Sequence, residues 1–376
     1  MTSSSGTGPY DVVVIGGGAA GLGASIALLH AGVENHVILE RKTVGASFDA
    51  WPAETRFITP SFPTNSIGMI DLNSIGIGFS PAFSLQVEHP SGEEFAAHLR
   101  GIAEFMELPV RDHTNVKRVT KSGDVFHVET DGETLEARHV IWAAGEFQYP
   151  KLDGFPGIEL CRHTATVASY DALDGDDFVV IGGYESGVDA AYHLAWNEKR
   201  VRVLDSEDPW GSESSDPSIA LSTYSLERMR EEPFEEKVEL LANTRVAAVT
   251  QKGDAFEVET ADGRRFQTPV APLFAGGFDG SHKLVRDLFE LREDGFLLLN
   301  EHDESTVTPG IFLCGPAVRH DNHVFCFIYK YRQRFAVVAK AIATSLGLPA
   351  EGLEQYRQWG MYLDDLSCCG EECAAC

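Results

Sequence analysis

Residues 10–21 read Tyr10-Asp11-Val12-Val13-Val14-Ile15-Gly16-Gly17-Gly18-Ala19-Ala20-Gly21. The run of β-branched residues has the pattern of a parallel strand buried on both faces. It passes directly into Gly16-x-Gly18-x-x-Gly21, and residues 22–29 continue as an apolar stretch of helical character. A second strand, His36-Val37-Ile38-Leu39, ends in Glu40, nineteen residues after Gly21. A glycine triplet alone carries little weight. Strand, turn, helix and an acid at this spacing together read as a dinucleotide-binding βαβ unit. Gly16 permits the tight turn, Gly18 lets backbone approach a pyrophosphate, and Gly21 lets helix pack on strand. The helix N-terminus offers free N–H groups to phosphates, and Glu40 can accept hydrogen bonds from ribose hydroxyls.

The unit recurs. Asp177-Phe178-Val179-Val180-Ile181-Gly182-Gly183-Tyr184-Glu185-Ser186-Gly187 is again strand, glycine turn and helix start, and Val201-Arg202-Val203-Leu204-Asp205 is its second strand. Tyr184 replaces the middle glycine, which restricts backbone approach, while Ser186 is placed to hydrogen-bond a phosphate. The likeness extends beyond the turns. The stretch from Val116 to Thr130, with Gly123-Asp124 at its centre, matches the stretch from Val246 to Thr260, with Gly253-Asp254. Each reads as two alternating strands around a hairpin, followed by an apolar strand ending at Gly145 or Gly277. The first copy carries extra residues, roughly 45–90, rich in Ser, Pro, Asn and Phe, suited to covering a ligand.

The 376 residues include 30 basic and 57 acidic side chains, a formal net charge of −27. So negative a chain repels phosphate backbones, which argues against nucleic acid or an anionic membrane as partner. The lysine-poor acidity suits either a high-salt cytoplasm or an ordinary acidic cytosolic enzyme. No apolar run approaches the ~20 residues needed to span a bilayer. Residues 1–9 lack the charge and apolar core of a signal peptide. The expected location is therefore cytoplasmic.

With the double glycine fingerprint, Trp142-Ala143-Ala144-Gly145-Glu146-Phe147 and Pro309-Gly310-Ile311-Phe312-Leu313-Cys314-Gly315, the chain resembles flavoprotein pyridine-nucleotide oxidoreductases. It is most similar in plan to low-molecular-weight thioredoxin reductases, bacillithiol-disulfide reductase-like proteins and flavin monooxygenases. The resemblance implies an α/β fold of two Rossmann-like dinucleotide-binding domains, one for FAD and one for NAD(P), each with a β-meander. It makes the FAD domain discontinuous: residues 1–150 and 279–360, with 151–278 for the nicotinamide and 361–376 as a cysteine-rich tail. It assigns FAD to Gly16, Gly18, Ala20, Gly21, Glu40 and Arg41, then to Val116, Ala144, Gly145, Gly315 and Pro316. It assigns NADH or NADPH to Gly182, Tyr184, Ser186, Gly187 and Asp205. The family's late strand usually ends Gly-Asp, the acid holding a ribityl hydroxyl; here it ends Gly315-Pro316. Residues 323–346 are expected as one helix, its N-terminus aimed at the flavin pyrimidine or simply packing at an interface. Asp205, with no arginine cluster in Ser206-Glu207-Asp208-Pro209, favours NADH over NADPH.

The family's three familiar cysteine positions are empty: the nicotinamide-side helix start, residues 41–60, and the fingerprint position held by Ala20. Four of seven cysteines instead sit in Cys368-Cys369-Gly370-Glu371-Glu372-Cys373-Ala374-Ala375-Cys376. Cys368, Cys369 and Cys373 are candidates for a relay by thiol–disulfide exchange; a soft-metal site or an incidental tail are the alternatives. No metal is assigned. Cys314 and Cys326 are candidates for contact with a flavin or are small buried hydrophobes. His323 or His320 is a candidate acid for a leaving thiolate, or a solvated loop residue. The expected activity is reduction of a small-molecule disulfide of the ergothioneine, bacillithiol or glutamylcysteine type, by a homodimer. The alternative is a flavin monooxygenase acting on nitrogen or sulfur. The stretch from Phe147 to Gly157 resembles that group's linker, although Cys161 stands where its histidine belongs and His163 is displaced by two.

Overall fold

A computed structural model describes residues 8–63, 70–212, 214 and 216–368. The first unit is built from β1 (Tyr10–Ile15), α1 (Ala19–His30), β2 (His36–Leu39), α2 (Gly92–Phe105), β3 (Val110–Arg111), β4 (Val116–Ser122), β5 (Val125–Thr130) and β6 (Thr134–Trp142). The second holds β7 (Arg162–His163), β8 (Asp177–Ile181), α3 (Glu185–Trp196), β9 (Arg200–Leu204), α4 (Thr223–Arg228), β10 (Val238–Leu241), β11 (Val246–Lys252), β12 (Ala255–Thr260), β13 (Arg265–Thr268) and β14 (Leu273–Phe274). The chain then returns to the first unit with β15 (Ile311–Leu313), α5 (Ile328–Tyr331) and α6 (Phe335–Ser345).

β1 lies between β2 and β6, parallel to both, and its last four residues, Val12 to Ile15, are fully or nearly fully buried. This is why its sequence is apolar throughout rather than alternating. β6 serves two neighbours on its other edge. Its first half pairs antiparallel with β5, closing the meander, and its second half pairs parallel with β15, Ile311 opposite Val140 and Leu313 opposite Trp142. The first unit is therefore assembled from two separated stretches of chain.

The second unit repeats the plan in a sheet ordered β10-β9-β8-β14-β7, but its meander β11-β12-β13 stands apart. The cause is local. Pro269 and Pro272 lie between β13 and β14 and remove the donors that a continuous strand needs, whereas the matching part of β6 has no proline. Both hairpins share one irregularity, a register shift between Val116 and Arg118 and between Val246 and Ala248. Arg162 and His163, within the stretch after the linker-like residues 147–157, form β7 and pair parallel with β14.

The expected single helix over residues 323–346 is also corrected. Arg319–His320 pairs with His323–Val324 in a tight hairpin turned by Asp321 at φ 46°, so helix begins only at Ile328. Residues Arg332–Arg334 form a tighter 3₁₀ turn before α6 resumes. Its two arginines point into protein. Arg334, with 1% of its side chain exposed, donates Nη2 to Asp303 Oδ1 (2.8 Å) and Nε to Oδ2 (3.0 Å). His320 Nε2 donates to the same carboxylate at 2.5 Å, and Arg334 also binds the Glu301 and Leu363 carbonyls. One buried cluster thus ties β15, the hairpin and the start of α6 together. Asp303→Ala leaves Arg334 as an unpaired buried cation and should cost ~3–5 kcal/mol, read as a lowered urea midpoint; Asp303→Asn should cost less.

Candidate functional site

The first glycine turn divides its labour by position. At Gly16 (φ +112°) a Cβ would lie 2.4 Å from the Ala143 oxygen, and at Gly21 only 1.8 Å from the Gly16 oxygen. Both positions are closed to any side chain because the chain packs on itself there. A Cβ at Gly18 would meet nothing within 4 Å, since that position faces an open cavity. Glu40, buried at the end of β2, accepts the Gly17 N–H through Oε2 (2.7 Å) and the Lys42 N–H through Oε1 (2.8 Å). The acid therefore fixes the turn while keeping lone pairs for a ribose. These features fit a dinucleotide with its pyrophosphate over the α1 N-terminus.

The cavity has a volume of about 390 Å³ and is lined by Gly16, Gly18, Ala20, Glu40, Arg41, Val116, Ala144, Gly145 and Pro316, all assigned from the sequence to one nucleotide. Gly21 and Gly315 stand behind this wall, with Ala20 Cβ 3.2 Å from where a Gly315 Cβ would be. Pro316 offers no carboxylate, and Arg319 Nη1 takes its carbonyl at 2.5 Å. The extra residues of the first unit form a side of the cavity through Ser47, Phe48, Trp51, Thr55 and Phe57, as their composition indicated. Phe48, Phe57 and Phe95 pack with ring centroids 4.5–5.7 Å apart, giving that side an apolar, rigid base.

The start of α3, directly after the second turn, faces the same cavity. Glu185, Ser186 and Asp189, from the first two turns of α3, line it opposite the first glycine turn. Gly182 and Gly187 repeat the close packing, with prospective Cβ contacts of 2.4 Å to the Ala275 oxygen and 1.9 Å to the Gly182 oxygen. Asp205 repeats Glu40: Oδ2 accepts the Gly183 N–H (2.6 Å) and Oδ1 the Glu207 N–H (2.8 Å). Tyr184 departs from the pattern, its hydroxyl donating toward the Pro217 and Ala220 carbonyls (2.8 and 2.6 Å) and so anchoring the segment that follows β9. Trp210 lies where a Gly183 Cβ would point. Tyr184, Asp205, Glu207 and Asp208 border a polar recess that has no lysine or arginine among its described residues.

Asp189 is the polar hub between the units. It accepts from Thr55 Oγ1 (2.7 Å) in the first unit and from Arg228 Nη2 (2.8 Å) in α4, with His193 3.4 Å away. Burial alone would raise its pKa, but His193, Arg228 and Thr55 bring it down to about 2. Glu185, by contrast, is raised by burial despite bonds from the Ser222 N–H (2.5 Å) and Ser225 Oγ (2.6 Å).

Of the remaining candidates, Cys326 lines the cavity, whereas Cys314, directly after β15, is buried in the core and absent from the cavity wall, and Cys161 lies beside Glu159, its pKa pushed up to about 12 by burial. His323 is not among the cavity residues; its Nδ1 lies 3.1 Å from the His320 oxygen. His320 is committed to Asp303. His163 donates to the Gly277 oxygen (3.1 Å) and accepts the Ala165 N–H, a linker role. Cys369 and Cys373 lie outside the described residues, and Cys368 ends a 3₁₀ turn, Leu366–Cys368. Glu146, Asp189 and the Tyr184 tether were missed as functional residues. Only Glu146 had a signal, an acid directly after the strand-ending Gly145.

Among the described residues no cluster suited to a metal ion occurs, and no helix is long and apolar enough to cross a membrane. Residues 13–315 match the family described as pyridine nucleotide-disulphide oxidoreductase. The bacilliredoxin reductase Bdr of Bacillus subtilis is 25% identical over 344 residues, 88% of this chain and 97% of that protein. The bacillithiol disulfide reductase Bdr structure from Staphylococcus aureus superposes with a TM-score of 0.74 at 21% identity, covering 90% of this chain and 99% of that one. A flavin-containing monooxygenase from Stenotrophomonas maltophilia gives a TM-score of 0.69 at 18% identity, covering 90% and 99%.

The turn geometry separates ligand loss from fold loss. Gly18→Val should keep the thermal midpoint of the parent yet fail to retain flavin absorbance on gel filtration. Gly21→Ala should destabilise the fold by ~1–3 kcal/mol through overpacking. Asp189, with its folded pKa depressed from 3.8 to about 2, adds stability above about pH 4 that is lost as pH falls toward 2. Asp189→Asn should remove that segment of the acid-unfolding curve.

Proposed function

The chain belongs to the pyridine nucleotide-disulphide oxidoreductase family, and on that premise we propose that it is an FAD-dependent NAD(P)H:disulfide oxidoreductase. Its substrate is the disulfide of a low-molecular-weight thiol of the ergothioneine, bacillithiol or glutamylcysteine type. The observation that carries this reading is that Gly16 and Gly18 of the first turn and Ser186 of the second border one cavity. Bound there, FAD supplies a two-electron store between a hydride donor and a disulfide. Gly18 and the α1 N-terminus hold its pyrophosphate, and Glu40 its ribose. Ser186 and the α3 N-terminus hold the nicotinamide dinucleotide, with Asp205 on its ribose. The aromatic side formed by Phe48, Trp51 and Phe57 excludes water. Residues 1–150 and 279–360 form the flavin unit, 151–278 the nicotinamide unit, and 361–376 a tail. Cys368, Cys369 and Cys373 carry electrons outward from this cavity, with His323 as a proton source near the exit. The enzyme works as a cytoplasmic homodimer.

The carboxylates of Asp205, Glu207 and Asp208 repel a ribose 2′-phosphate, which makes NADH the preferred donor. A flavin monooxygenase is the second reading, favoured by the apolar aromatic side of the cavity and the lack of a cysteine pair at the family's familiar positions.

The purified yellow protein is reduced anaerobically with NADH and then given a disulfide or oxygen separately. Rapid reoxidation by a disulfide supports the first reading; a long-lived oxygen adduct with no disulfide turnover supports the second. The kcat/KM ratio should favour NADH over NADPH by about tenfold or more, ~1.4 kcal/mol, and Asp205→Asn should narrow it. Serine at Cys368, Cys369 and Cys373 should slow disulfide turnover while leaving flavin reduction by NADH unchanged.

A further inference from the structure

Cys326 is the one cysteine among the described residues that line the shared cavity. It immediately precedes the N-cap of α5, and its Sγ–H donates to Ser218 Oγ at 3.2 Å. The same hydroxyl accepts from Lys330 Nζ (2.7 Å), which also pairs with Asp216 Oδ1 at 2.7 Å. A strap from the nicotinamide unit therefore meets the thiol of the flavin unit. Burial pushes the Cys326 pKa up and the Glu146 charge adds to the rise, while the Ser218 bond, Lys330 and Arg319 oppose it, so the thiol needs a base to attack. The thiol in turn adds to the rise that burial gives the Tyr184 and Tyr331 hydroxyls nearby.

A second observation points to a reacting ligand here. The Glu146 carboxyl lines the cavity, yet it accepts no hydrogen bond among the described residues. Burial pushes its pKa up and Arg319 opposes the rise, and with no donor on its oxygens among those residues the carboxyl is open to the cavity as a proton acceptor. Neither Cys314, closed inside the core, nor Cys161, away from the cavity, has such a partner.

We infer that Cys326 is the attacking thiol through which electrons leave the flavin side, and that Glu146 handles its proton. This deepens the disulfide-reductase reading and rests on it. Glu146 takes the Cys326 proton as Sγ attacks one sulfur of an acceptor disulfide, R–S–S–R. A Cys326 Sγ–S bond forms, the acceptor S–S bond breaks, and the departing RS⁻ receives the proton from Glu146. An electron pair that began as the nicotinamide hydride then cleaves the Cys326 mixed disulfide, which with two protons returns the thiol and a second RSH. The sum is NAD(P)H + H⁺ + RSSR giving NAD(P)⁺ + 2 RSH. The acceptor is either the substrate disulfide itself or a disulfide formed within the cysteine tail.

The full-length, flavin-loaded protein is treated with 4,4′-dithiodipyridine, quenched with acid and mapped by peptide mass spectrometry. The expected result is a thiopyridine adduct on Cys326, formed about a hundredfold more slowly in Glu146→Gln and with a shifted pH profile. In Cys326→Ser and Cys326→Ala, NADH should still bleach the flavin, and reoxidation by disulfide should be lost. Serine at all four tail cysteines separates the acceptors. Retained reoxidation identifies the substrate disulfide; loss of reoxidation, together with a Cys326–tail peptide in the parent, identifies the tail. An unlabelled Cys326 and undiminished reoxidation in both Cys326 variants would overturn the inference and leave the reductase reading intact. A parent protein whose reduced flavin ignores every disulfide would overturn the reading beneath it.

Discussion

Two carboxylates, Glu40 and Asp205, each hold a glycine turn closed by accepting the N–H of its second residue, at 2.7 and 2.6 Å. The rest of the site follows from that constraint. Each turn can be this tight only because its first and last glycines lie against backbone oxygens, with no room for a Cβ. Closing the turn aims the N-terminus of the following helix into open space. In this chain both helices aim at the same space. The shared cavity is thus the outcome of one local solution used twice and joined through an inserted second unit.

The two copies have diverged where their tasks differ. The first keeps Gly18, whose missing side chain leaves backbone exposed to a ligand. The second spends that position on Tyr184, which ties down the segment carrying Asp216 and Ser218. That segment reaches Lys330 and Cys326 of the other unit. Thr55 and Asp189 make a second polar contact between the units.

Much of this was legible in the residues. A strand buried on both faces has no polar alternation to hide, so β1 and β8 announce themselves, and the glycines that follow fix the turns. The hairpins at Gly123 and Gly253 were equally plain because turn chemistry is local. Less legible was whatever depended on distant pairing. The continuity of β6 and the break before β14 were written in Pro269 and Pro272, but reading them required knowing which edge each strand shares. The hairpin at residues 319–324 was hidden because its pairing spans few residues, its turn uses Asp321 rather than glycine, and its second strand overlaps the start of the apolar stretch at 323. Glu146 and Cys326 gained their meaning only from the cavity that gathers them.

The claim beneath all of this is that one chain holds two dinucleotides at once, at separate turns opening on one cavity. Calorimetric titration of NAD⁺ into the FAD-saturated protein, repeated on Ser186→Asp, whose side chain borders the cavity, tests it directly. One nicotinamide dinucleotide bound per chain without displacement of FAD, and lost in the variant while flavin stays, is the predicted result. Competition between the two cofactors for a single site would contradict it.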